Sequence, residues 1–160
     1  MKGGWPDRLL QVFAALLVVA MLATVTAGVV SRAAGHPLSW TDEAAGYLMV
    51  WLACSGWMLA TRHGAHIRIR FFQDLLPPTA WRGAELAIQL ALALFGGVIA
   101  WYSVHLMRTN ADIEAMALPL TVAWMYAPLL PAGLVTLGQA LYEAQARLRG
   151  REPRVPVAPS

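Results

Sequence analysis

The stretch SWTDEAAGYLMVWLACSGWMLATRHGAHIRI, residues 39–69, decides the fold because it joins an apolar helix to opposite charges at its two ends. Its seventeen central residues, 44–60, carry no charge. Asp42 and Glu43 precede them, and Arg62 begins the basic segment that follows. Basic flanks stay on the cytoplasmic side of a membrane, so this pattern predicts a span that runs from outside to inside.

The composition excludes an ordinary soluble domain. The chain has 160 residues, of which 58% are hydrophobic and only 13% are charged, whereas a soluble domain carries about 25% charged residues. The single cysteine, Cys54, lies in the middle of the apolar stretch and cannot form an intrachain disulfide. We therefore predict an all-α integral membrane protein, and its length allows one domain with a few spans.

Four apolar segments predict a four-helix bundle. The first segment, residues 9–30, has 22 uncharged residues and would be ~33 Å long as a helix, enough for a ~30 Å hydrocarbon core. That length argues against a cleaved signal peptide, whose apolar region is shorter. The other predicted spans are residues 44–60, 86–107 and 116–142. They form a membrane domain over residues 1–146 with an interfacial loop at 64–80, followed by a basic, Pro-rich tail at 147–160.

Prolines distinguish the fourth segment from the others. Pro119, Pro128 and Pro131 all fall within it. Because proline lacks a backbone donor and clashes with the preceding turn, these residues predict a kink or a broken start.

The basic residues predict the orientation. Ten of the twelve Lys and Arg residues lie before the first span, between the second and third, or after the fourth. Only Arg32 and Arg108 lie in the other two loops. Both termini and the middle loop are therefore expected in the cytoplasm.

The middle loop contains a basic and aromatic segment. Arg68 and Arg70 alternate with apolar residues, and Phe71 and Phe72 follow directly. Such a segment is typical of a chain that lies along the membrane surface, with aromatic rings in lipid and arginines at anionic headgroups. These four residues are our candidates for membrane-interface contacts.

The sequence carries no recognisable catalytic chemistry. Motifs of the HExxH, GxSxG, Walker and CxxC types are all missing, so we expect neither an enzyme nor a bound metal or cofactor. A b-type haem needs two histidines at matched depth on facing helices. His36 and His105 lie near one membrane surface, and His63 and His66 near the other. His36 lies in a loop and the inner histidines have no partner on another span, which makes haem a weak alternative.

The predicted spans also lack ionisable residues in their middles. Ion sites, proton relays and carboxylate-binding sites in membranes commonly use such residues or helices broken at the midplane. The chain alone is thus not expected to translocate a charged solute.

These residues carry a family resemblance over nearly the whole chain. The chain resembles the small, DctQ-type membrane subunit of tripartite ATP-independent periplasmic (TRAP) transporters. The matching elements are Ser39-Trp40-Thr41-Asp42-Glu43, Tyr47-Leu48, Trp51-Leu52, Gly56, the block Arg62, Gly64, His66 and Ile67, and later Leu118-Pro119, Trp124-Met125-Tyr126 and Pro131-Ala132-Gly133.

The resemblance implies an accessory role in transport. Such a subunit docks on a large multi-span membrane subunit in the bacterial inner membrane and serves as its scaffold. A periplasmic solute-binding protein, which visits transiently, delivers an organic acid, and an ion gradient drives its symport. Nucleic acid is not expected as a partner.

Five residues are our candidates for contacts with the large subunit or for structural roles. They are Trp40, Asp42, Glu43, Arg62 and His66. Helix capping and interfacial anchoring explain the same residues equally well. Two other functions stay open from the residues alone, namely a b-type cytochrome membrane subunit and an unrelated small stand-alone transporter.

Overall fold

The computed structural model describes residues 4–62 and 78–149, without the side chains of residues 78–82 and 147. These residues form an all-α protein. Its helices are α1 (Trp5–Ala33), α2 (Trp40–Arg62), α3 (Pro78–Thr109), the four-residue α4 (Ala123–Tyr126) and α5 (Leu129–Leu148). An isolated antiparallel bridge pairs Glu114 with Thr121 in the α3–α4 connection.

Within the described residues, three helices are long and apolar enough to cross a membrane. They are Trp5–Ala33, Trp40–Arg62 and the part of α3 from Gly83 to Thr109. Each contains one of the first three predicted spans, which confirms an all-α membrane bundle. The number of membrane crossings, and the side on which the termini lie, remain predictions.

The fourth apolar segment differs from its expected bounds of 116–142. Residues 113–122 are not helical, α4 covers four residues, and the long helix α5 begins only at Leu129. Pro128 explains the break between α4 and α5, because it has no backbone N–H to donate to the Trp124 carbonyl four residues earlier. Pro131 is tolerated because it lies in the first turn of α5, where backbone N–H groups have no helical acceptor. The expected broken start is therefore present, and α5 extends to Leu148.

A tight turn joins α1 to α2. The N–H of His36 donates to the Ser31 carbonyl and that of Gly35 to the Arg32 carbonyl, which is the hydrogen-bond pattern of a Schellman motif. Gly35 has a φ of 77°, a conformation that costs glycine nothing because it has no Cβ. The turn returns the chain so that α2 packs antiparallel to α1.

The long helices pack in the order α1, α2, α5, α3. Among the described residues, α1 makes extensive contact with α2 only, α2 also contacts α5, and α5 contacts α3 most extensively.

The α3–α5 contact is built from small residues. A Cβ at Gly96 would lie 2.7 Å from the backbone nitrogen of Leu137, and one at Gly133 would lie 2.8 Å from that of Ala100. The two backbones therefore touch directly, as is common between membrane helices.

Large apolar side chains point away from this contact. On α3, Leu94 is 71% exposed and Trp101 is 78% exposed. The buried apolar residues are instead mostly small, among them Ala93, Ala100, Ala132, Ala140 and Ala144. This reverses the pattern of a soluble protein and suits helices surrounded by lipid or by other membrane helices.

Candidate functional site

Ion pairs join α1 to α2 at both ends of their hairpin. At the turn, an Arg32 Nη atom contacts Asp42 Oδ1. At the other end, Arg62 Nε lies 2.6 Å from Asp7 Oδ1, although this carboxylate oxygen has no partner in hydrogen-bond geometry among the described residues. The Asp7 side chain is only 14% exposed. Two of the predicted contact residues, Asp42 and Arg62, are thus paired within the chain.

Glu43 binds the connection between α3 and α4. Its Oε1 accepts a hydrogen bond from the backbone N–H of Met116 at 2.9 Å. Its Oε2 accepts from the N–H groups of Ala117 at 2.7 Å and Leu118 at 3.1 Å. Hydrogen bonds to a charged acceptor are stronger than those between neutral groups. One carboxylate therefore holds three consecutive backbone groups of a segment that has no helical hydrogen bonds of its own.

Two aromatic side chains on the same face of α2 continue this contact. The Tyr47 hydroxyl donates to the Thr121 carbonyl at 3.3 Å, and Trp51 Nε1 donates to the Trp124 carbonyl at 3.1 Å. The spacing of four residues from Glu43 to Tyr47 to Trp51 keeps all three on adjoining turns. They attach to successive points of the chain between α3 and α5, which we name the outer segment (residues 113–128) after the side of the membrane that the sequence predicts for it.

A fourth side chain reaches the outer segment from α3. Ser103, which is 1% exposed, donates through Oγ to the Tyr126 carbonyl at 2.9 Å. Backbone outside helices is tolerated at membrane depth only where its polar groups are satisfied by the protein or by water. The contacts from α2 and α3 provide this satisfaction for an irregular segment beside apolar helices.

The remaining predicted residues are less informative. Trp40 begins α2 and is 39% exposed, so its predicted role in docking stays a prediction. His66 and the interface candidates Arg68, Arg70, Phe71 and Phe72 lie outside the described residues, as do His63 and most of the predicted tail.

A polar cluster between α3 and α5 was missed by sequence reasoning. Gln89, which is 1% exposed, donates to Glu143 Oε2 at 2.7 Å. Gln139 donates to the other oxygen, Oε1, at 3.1 Å, and Glu85 is also buried. The available signal was the spacing of four residues in both Glu85–Gln89 and Gln139–Glu143, which places each pair on one helix face. Within the described ranges, no group of three or more His, Cys, Asp or Glu side chains is arranged to hold a metal ion.

The fold and these contacts define a small membrane protein of apolar helices, in which the charged residues at the two ends of α2 bind other parts of the same chain. Comparison with known proteins identifies the class further. Residues 21–150 match the family model described as the DctQ component of tripartite ATP-independent periplasmic transporters. The chain belongs to this family, which confirms the resemblance seen in the sequence.

Two relatives illustrate the family. The ectoine TRAP transporter small permease protein TeaB of Halomonas elongata is 30% identical over 151 residues, covering 91% of this chain and 77% of the relative. The sialic acid TRAP transporter small permease protein SiaQ of Vibrio cholerae is 28% identical over 110 residues, covering 68% of this chain and 64% of the relative. These similarities support a transporter subunit and not a cytochrome or an unrelated exporter.

Proposed function

We propose that this chain is the small permease subunit of a TRAP transporter in a bacterial inner membrane. It docks on a large membrane subunit and serves as a scaffold for ion-gradient-driven uptake of an organic solute, which a periplasmic binding protein delivers. The observation that carries the proposal is the family match over residues 21–150. The role requires no catalysis and no cofactor of its own.

The internal contacts support a scaffold better than a solute pathway. Asp42 and Arg62 pair with α1, and Glu43 binds the backbone of the outer segment. These charges stabilise the subunit's own fold, so substitutions there would weaken docking indirectly, by loosening the surface that the large subunit meets. The exposed apolar faces of the helices are then the surface available for docking.

The solute is set elsewhere in the system. The two relatives are named for ectoine and sialic acid respectively, although they have similar identity to this chain. We propose an organic acid as the solute and assign its recognition to the large subunit and the binding protein.

Co-purification tests this function. The tagged chain would be isolated from its native membranes in mild detergent, and the co-purifying proteins identified by mass spectrometry. We expect one much larger multi-span membrane protein in stoichiometric amount. A chain that purifies alone, both directly and after crosslinking in the intact membrane, would contradict the proposal.

A further inference from the structure

A groove opens between the last turn of α3 and the outer segment. Its volume is about 370 Å³, which is within the usual range for small-molecule sites. Among the described residues that line it, Arg108 and Trp124 alone have side chains with hydrogen-bonding nitrogen or oxygen atoms. The lining residues are Met107, Arg108, Ala111, Ala123, Trp124 and Ala127.

The hydrogen bonds of the outer segment fix the depth of this groove. The Trp124 carbonyl is bound by Trp51, which lies eleven positions after Trp40, the first residue of α2. At 1.5 Å per residue, the backbone of Trp51 lies ~16 Å along α2 from the start of that helix, and the Trp124 carbonyl meets the Trp51 side chain. Arg108, by contrast, is in the last turn of α3. The groove therefore extends from a charged rim at the helix ends into the apolar part of the bundle.

Arg108 has no counter-ion within the part of the chain that the structure describes. The ion pairs found there are Arg32–Asp42 and Asp7–Arg62, and the Arg108 side chain is exposed. A guanidinium group presents a planar fork of donors that matches the oxygens of a phosphate. An exposed arginine beside an apolar groove offers a phospholipid two things that it needs: a cation for its phosphate and an apolar surface for an acyl chain.

We propose that this groove binds one phospholipid of the adjacent leaflet. Arg108 contacts its phosphate, and an acyl chain lies along Trp124, Ala123 and Ala127. A peptide fits less well, because its backbone would need several hydrogen-bond partners that these side chains do not offer.

The exposed carboxylates of Asp112 and Glu114 in the same loop oppose a headgroup with net negative charge. They favour a zwitterionic headgroup, and phosphatidylethanolamine is the lipid that we would test.

Native mass spectrometry of the purified protein, with its co-purifying partners, tests the proposal. After delipidation, phosphatidylethanolamine would be titrated back and the bound molecules counted. We expect one saturable molecule per chain, and about tenfold weaker binding in Arg108→Gln, which loses a charge-assisted hydrogen bond. Ala127→Phe should abolish binding by filling the groove while keeping Arg108.

Matched substitutions control for charge and size. Arg149→Gln removes an exposed arginine at the other end of the bundle, and Ala91→Phe enlarges an exposed alanine elsewhere on α3. Both should bind the lipid as the unsubstituted protein does. Unchanged binding in Arg108→Gln and Ala127→Phe would overturn the proposal. It would also fail if Ala127→Phe released the large subunit while leaving the lipid count unchanged, since the groove would then be a protein contact.

Discussion

The α3–α5 contact and the α2–outer segment contact hold the protein together in different ways. Between α3 and α5, Gly96 and Gly133 let two regular helices touch backbone to backbone. Between α2 and the outer segment, Glu43 and Trp51 instead bind the backbone of an irregular chain. Inside a membrane, apolar burial gives little preference for one apolar partner over another. Close packing and satisfied polar groups take over that role, and each region relies mainly on one of them.

The largest effect is expected from a substitution that disrupts the close packing of α3 against α5. In Gly96→Leu, the new Cβ would lie within 3 Å of α5 backbone atoms, so α3 and α5 must separate. We expect a loss of about 3 kcal/mol or more in the free energy of unfolding, measured by thermal or denaturant unfolding in detergent.

The neighbouring glycine provides the control. A Cβ at Gly97 would meet no atom within 4 Å, and leucine has the better helix propensity, so Gly97→Leu should match or exceed the original stability by up to about 1 kcal/mol. Equal effects at both positions would show that close backbone contact does not hold α3 to α5.

A smaller effect tests whether polar contacts also contribute between α3 and α5. Gln89→Leu removes the donor to Glu143 Oε2 and leaves this half-buried acceptor with one fewer hydrogen bond. We expect a loss of about 1–2 kcal/mol in the same unfolding assay. Gln145→Leu changes an exposed glutamine of α5 and should change stability by less than about 0.5 kcal/mol. If Gln89→Leu is also neutral, the α3–α5 contact depends on packing alone.

The smallest effects are expected from the two ion pairs of the α1–α2 hairpin, and they should differ between the two pairs. Asp7 is 14% exposed in its pair with Arg62, whereas the side chains of Arg32 and Asp42 are 51% and 77% exposed. Double-mutant cycles with Asp7→Asn and Arg62→Gln should give a coupling energy of about 1 kcal/mol. The Arg32–Asp42 cycle should give less than about 0.5 kcal/mol. A larger coupling energy for Arg32–Asp42 than for Asp7–Arg62 would show that burial does not determine how much each ion pair contributes to stability.

Sequence reasoning predicted the parts of this structure that depend on local pattern. The apolar lengths of α1, α2 and α3 and the prolines of the fourth segment are visible in short windows of sequence. Contacts between residues that are distant in the sequence could not be predicted in this way. Glu43 was predicted as a contact residue, but its partners lie more than seventy positions away, and no local pattern indicates that a carboxylate binds backbone of its own chain. Asp7 was missed because its role depends on the antiparallel register of α1 and α2.

Hydrogen exchange at the outer segment tests the central claim most directly. The claim is that Glu43 holds residues 116–118 within the subunit and so shapes its outer surface. The backbone N–H groups of these residues would be followed in lipid nanodiscs, in the original chain and in Glu43→Ala. We expect protected amides in the original chain and exchange about tenfold faster or more in the variant, because three hydrogen bonds to a charged acceptor are lost. Equal exchange in both proteins would contradict the account.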